Sequence, residues 1–87
     1  MEYDVDGTRY RWDGRAAARC RRRVRPGKQR LTQRDVATAV RVSRQMVSMW
    51  EAGLYSPIPE RVAALAALYQ CERAELLAPL DNVSRCR

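Results

Sequence analysis

The stretch from Thr32 to Gly53, TQRDVATAVRVSRQMVSMWEAG, decides the fold. Thr32 is followed three residues later by Asp35, a pattern in which a hydroxyl and a carboxylate cap the first amides of a helix. Val36, Ala37 and Val40 then recur at helical spacing, so this helix is short and buries one face. Arg41-Val42 is left as a tight turn, and Ser43 supplies a second N-cap. In the helix from Arg44 to about Ala52 the same spacing sends Val47 and Trp50 inward and leaves Arg44, Gln45, Ser48 and Met49 outside. Gly53 ends it, because glycine adopts the left-handed C-terminal conformation without steric cost.

On the C-terminal side, a loop from Leu54 to Pro57 precedes a predicted helix from about Pro59 to Gln70 that buries Val62, Leu65, Ala66 and Tyr69. A last short helix from Glu72 is expected to carry Leu76 and Leu77, with Cys71 filling core between the two. On the N-terminal side, Arg15 to about Arg25 reads as a helix. Ala16 or Ala17, Cys20 and Val24 form its inner stripe, the arginines lie outside, and Pro26-Gly27 ends it. Glu51 is expected either to pair with an arginine of that helix or to be an ordinary exposed helix acid.

From Glu2 to Trp12 the pattern changes to alternation, with Tyr3, Val5, Thr8, Tyr10 and Trp12 on one face if Asp6-Gly7 forms a two-residue turn. That register sets Tyr3 opposite Tyr10, Asp4 opposite Arg9 and Glu2 opposite Arg11, and a one-residue slip loses all three pairs. A lone two-stranded ribbon is marginal in water, so helices or a second subunit must cover its aromatic face. Its negative net charge favours a packing or dimerisation arm over a wing that touches a polyanion.

Eighty-seven residues support one domain, and a formal charge of +7 points to a polyanionic partner. The charge is concentrated between residues 15 and 30, where seven Arg and Lys28 occur without an acid. Sixteen of the 17 cations are Arg, whose planar fork suits phosphate and guanine. Cys20, Cys71 and Cys86 are odd in number, widely spaced and unaccompanied by His, so neither a zinc site nor a disulfide framework is expected, and a reducing cytoplasm fits. No apolar run has the length of a membrane span, and no signal peptide is recognised. Without His, paired carboxylates at useful spacing or a phosphate-cradling Gly loop, an enzyme is not expected.

Leu31-Thr32-Gln33, Asp35-Val36-Ala37, Val42-Ser43-Arg44-Gln45, Val47-Ser48, Trp50-Glu51, Gly53 and Pro57, continued by Leu65-Ala66 and Glu75-Leu76-Leu77, resemble the phage repressor and Cro-type (XRE-like) helix-turn-helix pattern over roughly residues 15 to 78. The resemblance implies a mainly α fold, a five-helix repressor-like domain at 15–80, preceded by the hairpin arm at 1–14 and followed by a tail at 81–87. It implies a major-groove reader in which Arg44, Gln45, Ser48 and Met49 reach base edges, while Gln33 and Ser43 contact phosphate or brace the readers. Arg22, Lys28 and Arg30 would add phosphate neutralisation. The implied partner is a double-stranded DNA operator bound by a homodimer on an inverted repeat, with no cofactor, metal or small-molecule ligand. An antitoxin-like or antirepressor protein-interaction module is the competing expectation. Arg41 and Gln70 stand where that family often carries Gly.

Overall fold

The computed structural model describes residues 2–25, 27 and 29–80. Two strands, β1 (Glu2–Val5) and β2 (Thr8–Trp12), lead into α1 (Gly14–Arg23), α2 (Gln33–Val40), α3 (Arg44–Ala52) and α4 (Pro59–Leu68). One turn of 3-10 helix, Arg73–Leu76, then leads into β3 (Leu77–Pro79).

The hairpin has the predicted register: Glu2 faces Arg11, Tyr3 faces Tyr10, and Asp4 faces Arg9. Asp6 and Gly7 both have positive φ, 52° and 84°, the geometry of a type I′ turn. The Asp4 carboxylate accepts the Gly7 amide at 3.1 Å, and Glu2 and Arg9 form an exposed ion pair. Helices of the same chain cover the aromatic face. Tyr3 is buried, Val5, Tyr10 and Trp12 pack against the core, and Thr8 at the turn is exposed. The Tyr3 hydroxyl donates to the Pro57 carbonyl, and Trp12 Nε1 donates to the Trp50 carbonyl at 2.7 Å.

The fifth helix expected from Glu72 is not an α-helix. Residues 73–76 make a single 3-10 turn, and Leu77–Pro79 pairs antiparallel with β2, with Tyr10 opposite Pro79 and Trp12 opposite Leu77. Pro79 is the local cause: it disfavours helical geometry at Ala78, and the chain turns extended where β2 offers an open edge. Leu76 and Leu77 are nonetheless buried as expected. The sheet order is β1-β2-β3.

Caps define the helices. Asp13 accepts the Ala16 amide and starts α1, while Thr32 and Asp35 form the reciprocal capping box of α2. Those hydrogen bonds, with the Thr32 backbone amide foremost, hold the Asp35 carboxyl below the usual carboxylate range. Ser43 caps α3 by accepting the Met46 amide, and Gly53 closes it at φ 81°. Arg41 and Gln70 take the left-handed conformation despite their side chains, at φ 62° and 57°. Each such residue costs roughly 1 kcal/mol, which the core on either side of the turn offsets.

The core joins Tyr3, Ala17, Cys20, Val36, Val40, Val47, Trp50, Val62, Leu65, Tyr69 and Leu76. Cys20 and Cys71 are free thiols, and burial followed by the neighbouring Cys20 pushes the Cys71 thiol up to about 12. Cys71 therefore stays protonated and fills space. Cys86 lies outside the described residues.

The first helix departs from expectation in two ways. It ends at Arg23 rather than near Arg25, with Val24 extended, and not all of its arginines lie outside: Arg21 is 9% exposed. Its N-terminus also abuts α3. A Cβ built on Gly14 would lie 2.5 Å from the Trp50 carbonyl oxygen and 2.7 Å from that of Glu51. Gly14→Ala is therefore expected to destabilise the domain by about 1–3 kcal/mol, although alanine is the better helix former. A urea-unfolding midpoint equal to that of the unaltered chain would show that the α1–α3 approach is not tight.

Candidate nucleic-acid interface

The end of α2, the left-handed Arg41 and the Ser43 cap set α3 against α2, with the Val42 amide donating to the Ala37 carbonyl at 2.9 Å. Val47 and Trp50, at 1% and 4% exposure, fasten the back of α3 to the core. At 3.6 residues per turn, Arg44, Gln45, Ser48 and Met49 then occupy one arc of about 140° on the opposite side. Arg44 and Gln45 are exposed, and Ser48 and Met49 are half-buried. Thus the four side chains expected to reach base edges do share one outward face of a short, rigidly seated helix.

Gln33, half-buried, opens α2 beside this face. Its Oε1 accepts from Arg44 Nη1 at 3.4 Å, and its Nε2 donates to Glu51 Oε1 at 2.9 Å. Ser43 is exposed while its hydroxyl caps α3. The first amides of α2 and α3 have no partner within their own helices, which makes both helix starts favourable places for an anion.

Behind the face sits an ion pair that local sequence did not fully reveal. Arg21 Nε donates to Glu51 Oε2 at 2.7 Å, Arg21 Nη2 to Glu51 Oε1 at 3.1 Å, and Arg21 Nη1 to the Leu31 carbonyl at 3.0 Å. The two side chains are only 11% and 10% exposed. The hydrogen bond to Glu51 raises the Arg21 pKa further, so the guanidinium stays charged despite its burial. Of the two expectations for Glu51, the ion pair holds. The missed partner had a signal: Gly14, Ala17 and Arg21 fall on one stripe of α1, and small residues at the first two positions bring that stripe close to α3.

The remaining expected contacts lie apart from this network. Arg22 is exposed on α1, and its carbonyl accepts from Arg25 Nη1 at 2.9 Å. Arg30 is exposed just before α2. Lys28 lies outside the described residues. On the far side of α1, Arg23 forms an exposed ion pair with Glu75 at 3.2 Å across the 3-10 turn. Among the described residues no helix is long and apolar enough to cross a membrane.

A helix-turn-helix family model, HTH_3, matches residues 22–76, a span that begins near the end of α1 and closes with the 3-10 turn. Neither a curated protein nor a solved structure was found to match the chain. With α2 and α3 in the bihelical arrangement described above and the family match extending over more than half of the residues, the chain belongs to the Cro/C1-type (XRE) helix-turn-helix family of DNA-binding regulators.

Proposed function

We propose that the protein is a sequence-specific, Cro-like or repressor-type regulator that reads the major groove with α3. The supporting observation is the outward arc of Arg44, Gln45 and Ser48 on a helix whose back is fixed by Trp50. Arg can donate two hydrogen bonds to guanine O6 and N7, and Gln can both donate to and accept from adenine, each good pair giving about 1–3 kcal/mol of discrimination. Met49 offers an apolar contact to a thymine methyl. Gln33 and Ser43, with Arg22, Lys28 and Arg30, supply phosphate contacts that position the domain without reading sequence.

A single α3 reads only a few base pairs, so the functional form is a homodimer on an inverted repeat with half-sites about one helical turn apart. Leu54, Tyr55 and Ile58, exposed at 69%, 56% and 47% just beyond α3, offer apolar surface for self-association. An antitoxin-like module would bind its protein partner through the hairpin or the last helical turn. The aromatic face of the hairpin is occupied within the chain, which disfavours that route.

Arg44→Ala or Gln45→Ala is expected to weaken cognate binding by about 1–3 kcal/mol, or roughly 5- to 150-fold, and random-sequence binding by far less. Anisotropy titrations on a selected site and on shuffled DNA make the comparison. Equal losses on both would remove the base-reading role.

A further inference from the structure

We infer that Glu51, which lies behind the reading surface, is a specificity-determining positioning residue: by fixing the amide orientation of Gln33 it sets the posture of Arg44. This rests on the base-reading function proposed above.

The Glu51 carboxylate is held at both oxygens by Arg21, and Arg21 is held in turn by the Leu31 carbonyl. An ionised carboxylate can only accept, so the end of the Gln33 amide that meets Glu51 Oε1 at 2.9 Å must be its NH2 group. The amide is planar, and its oxygen is then directed to the other side, toward Arg44 Nη1. Flipping it would set two acceptor oxygens against each other and turn N–H groups toward a guanidinium. Both contacts would become repulsive, so the charge on Glu51 decides which end of Gln33 faces Arg44.

The four side chains therefore alternate donor and acceptor from the interior outward: Arg21 to Glu51, Gln33 to Glu51, Arg44 to Gln33. Gln33 Nε2 keeps a second N–H free, which can donate to a backbone phosphate while its oxygen braces Arg44. A restrained arginine loses less side-chain freedom when it engages a base, and a mis-registered one loses the bidentate geometry. The benefit falls on the base pair that Arg44 reads, although Glu51 touches no DNA.

The test measures the full chain, wild type and variants, on its selected site and on the set of single base-pair substitutions of that site, at fixed salt. Arg44→Ala locates the base pair that Arg44 reads. Glu51→Gln, whose amide can no longer dictate the orientation of Gln33, is expected to lose about 2- to 10-fold of discrimination at that base pair. Discrimination elsewhere, affinity for random DNA and its salt slope should stay within about twofold. Adding Glu51→Gln to Arg44→Ala should remove no further discrimination there.

Gln33→Ala breaks the same link with the Arg21–Glu51 pair intact and should reproduce the loss, so it decides the matter if Glu51→Gln does not fold. Wild-type discrimination in Gln33→Ala, a loss spread evenly over all positions, or an undiminished Glu51→Gln effect in the Arg44→Ala background would each overturn the proposal. A wild-type chain with no sequence preference would overturn base reading itself, a result distinct from any of these.

Discussion

Arg21→Met is expected to lower the unfolding free energy by about 3–5 kcal/mol, because it leaves the Glu51 carboxylate buried without its counter-charge. Stabilities of small domains are about 5–15 kcal/mol, so the variant should be partly unfolded near physiological temperature. The cost comes from the orphaned charge rather than from the lost attraction. Arg21→Met combined with Glu51→Leu should therefore recover most of the stability, since apolar side chains of similar volume often replace a buried pair at no net cost. Urea-unfolding curves of the two variants separate the terms. A single variant within about 1 kcal/mol of wild type would mean that water reaches the Glu51 carboxylate. The double variant carries a second expectation: it should fold yet discriminate poorly at the Arg44 base pair, because Gln33 has lost the acceptor that orients it.

Much of the fold was legible in the sequence because short-range physics governs it. The hairpin register followed from alternation and from Asp6-Gly7, where both residues take positive φ. The starts of α2 and α3 followed from Thr32, Asp35 and Ser43, whose side chains make the expected capping bonds. The outward placement of Arg44 and Gln45 followed from the inward phase of Val47 and Trp50. Non-local features were less legible. Leu77-Ala78-Pro79 is too short to show alternation, and its partner strand is β2, at the other end of the chain. Arg21 sits among Arg19, Arg22, Arg23 and Arg25, where composition cannot say which cation turns inward. That choice is made by Glu51 and the Leu31 carbonyl, which meet Arg21 from α3 and from the segment that leads into α2.

All three strands lie outside residues 22–76, the span of the family match. The segments flanking the helix-turn-helix unit thus pair with one another and close over one side of it. Trp12 reaches the Trp50 carbonyl at the end of α3, and the Asp13 amide donates to the Leu76 carbonyl at 3.1 Å. The sheet therefore braces α3 from behind. Its contribution to binding should pass through the rigidity of α3, not through contact with DNA.

Tyr3 is the sharpest probe of that arrangement. Its ring is 6% exposed in the common core, and its hydroxyl donates to Pro57, a buried residue that ends the loop after α3. Tyr3→Ala removes both the packing and the hydrogen bond, and it is expected to cost about 3–5 kcal/mol. Tyr3→Phe keeps the ring and leaves only the buried Pro57 carbonyl unsatisfied, at about 1–3 kcal/mol. Thermal and urea unfolding should rank the variants in that order. Affinity for DNA, measured where each variant is still folded, should change by less than about twofold for Tyr3→Phe. The opposite pattern, unaltered unfolding with weakened DNA binding, would make the hairpin a DNA-contacting wing, because a structural brace cannot be loosened without lowering the stability of the core it covers.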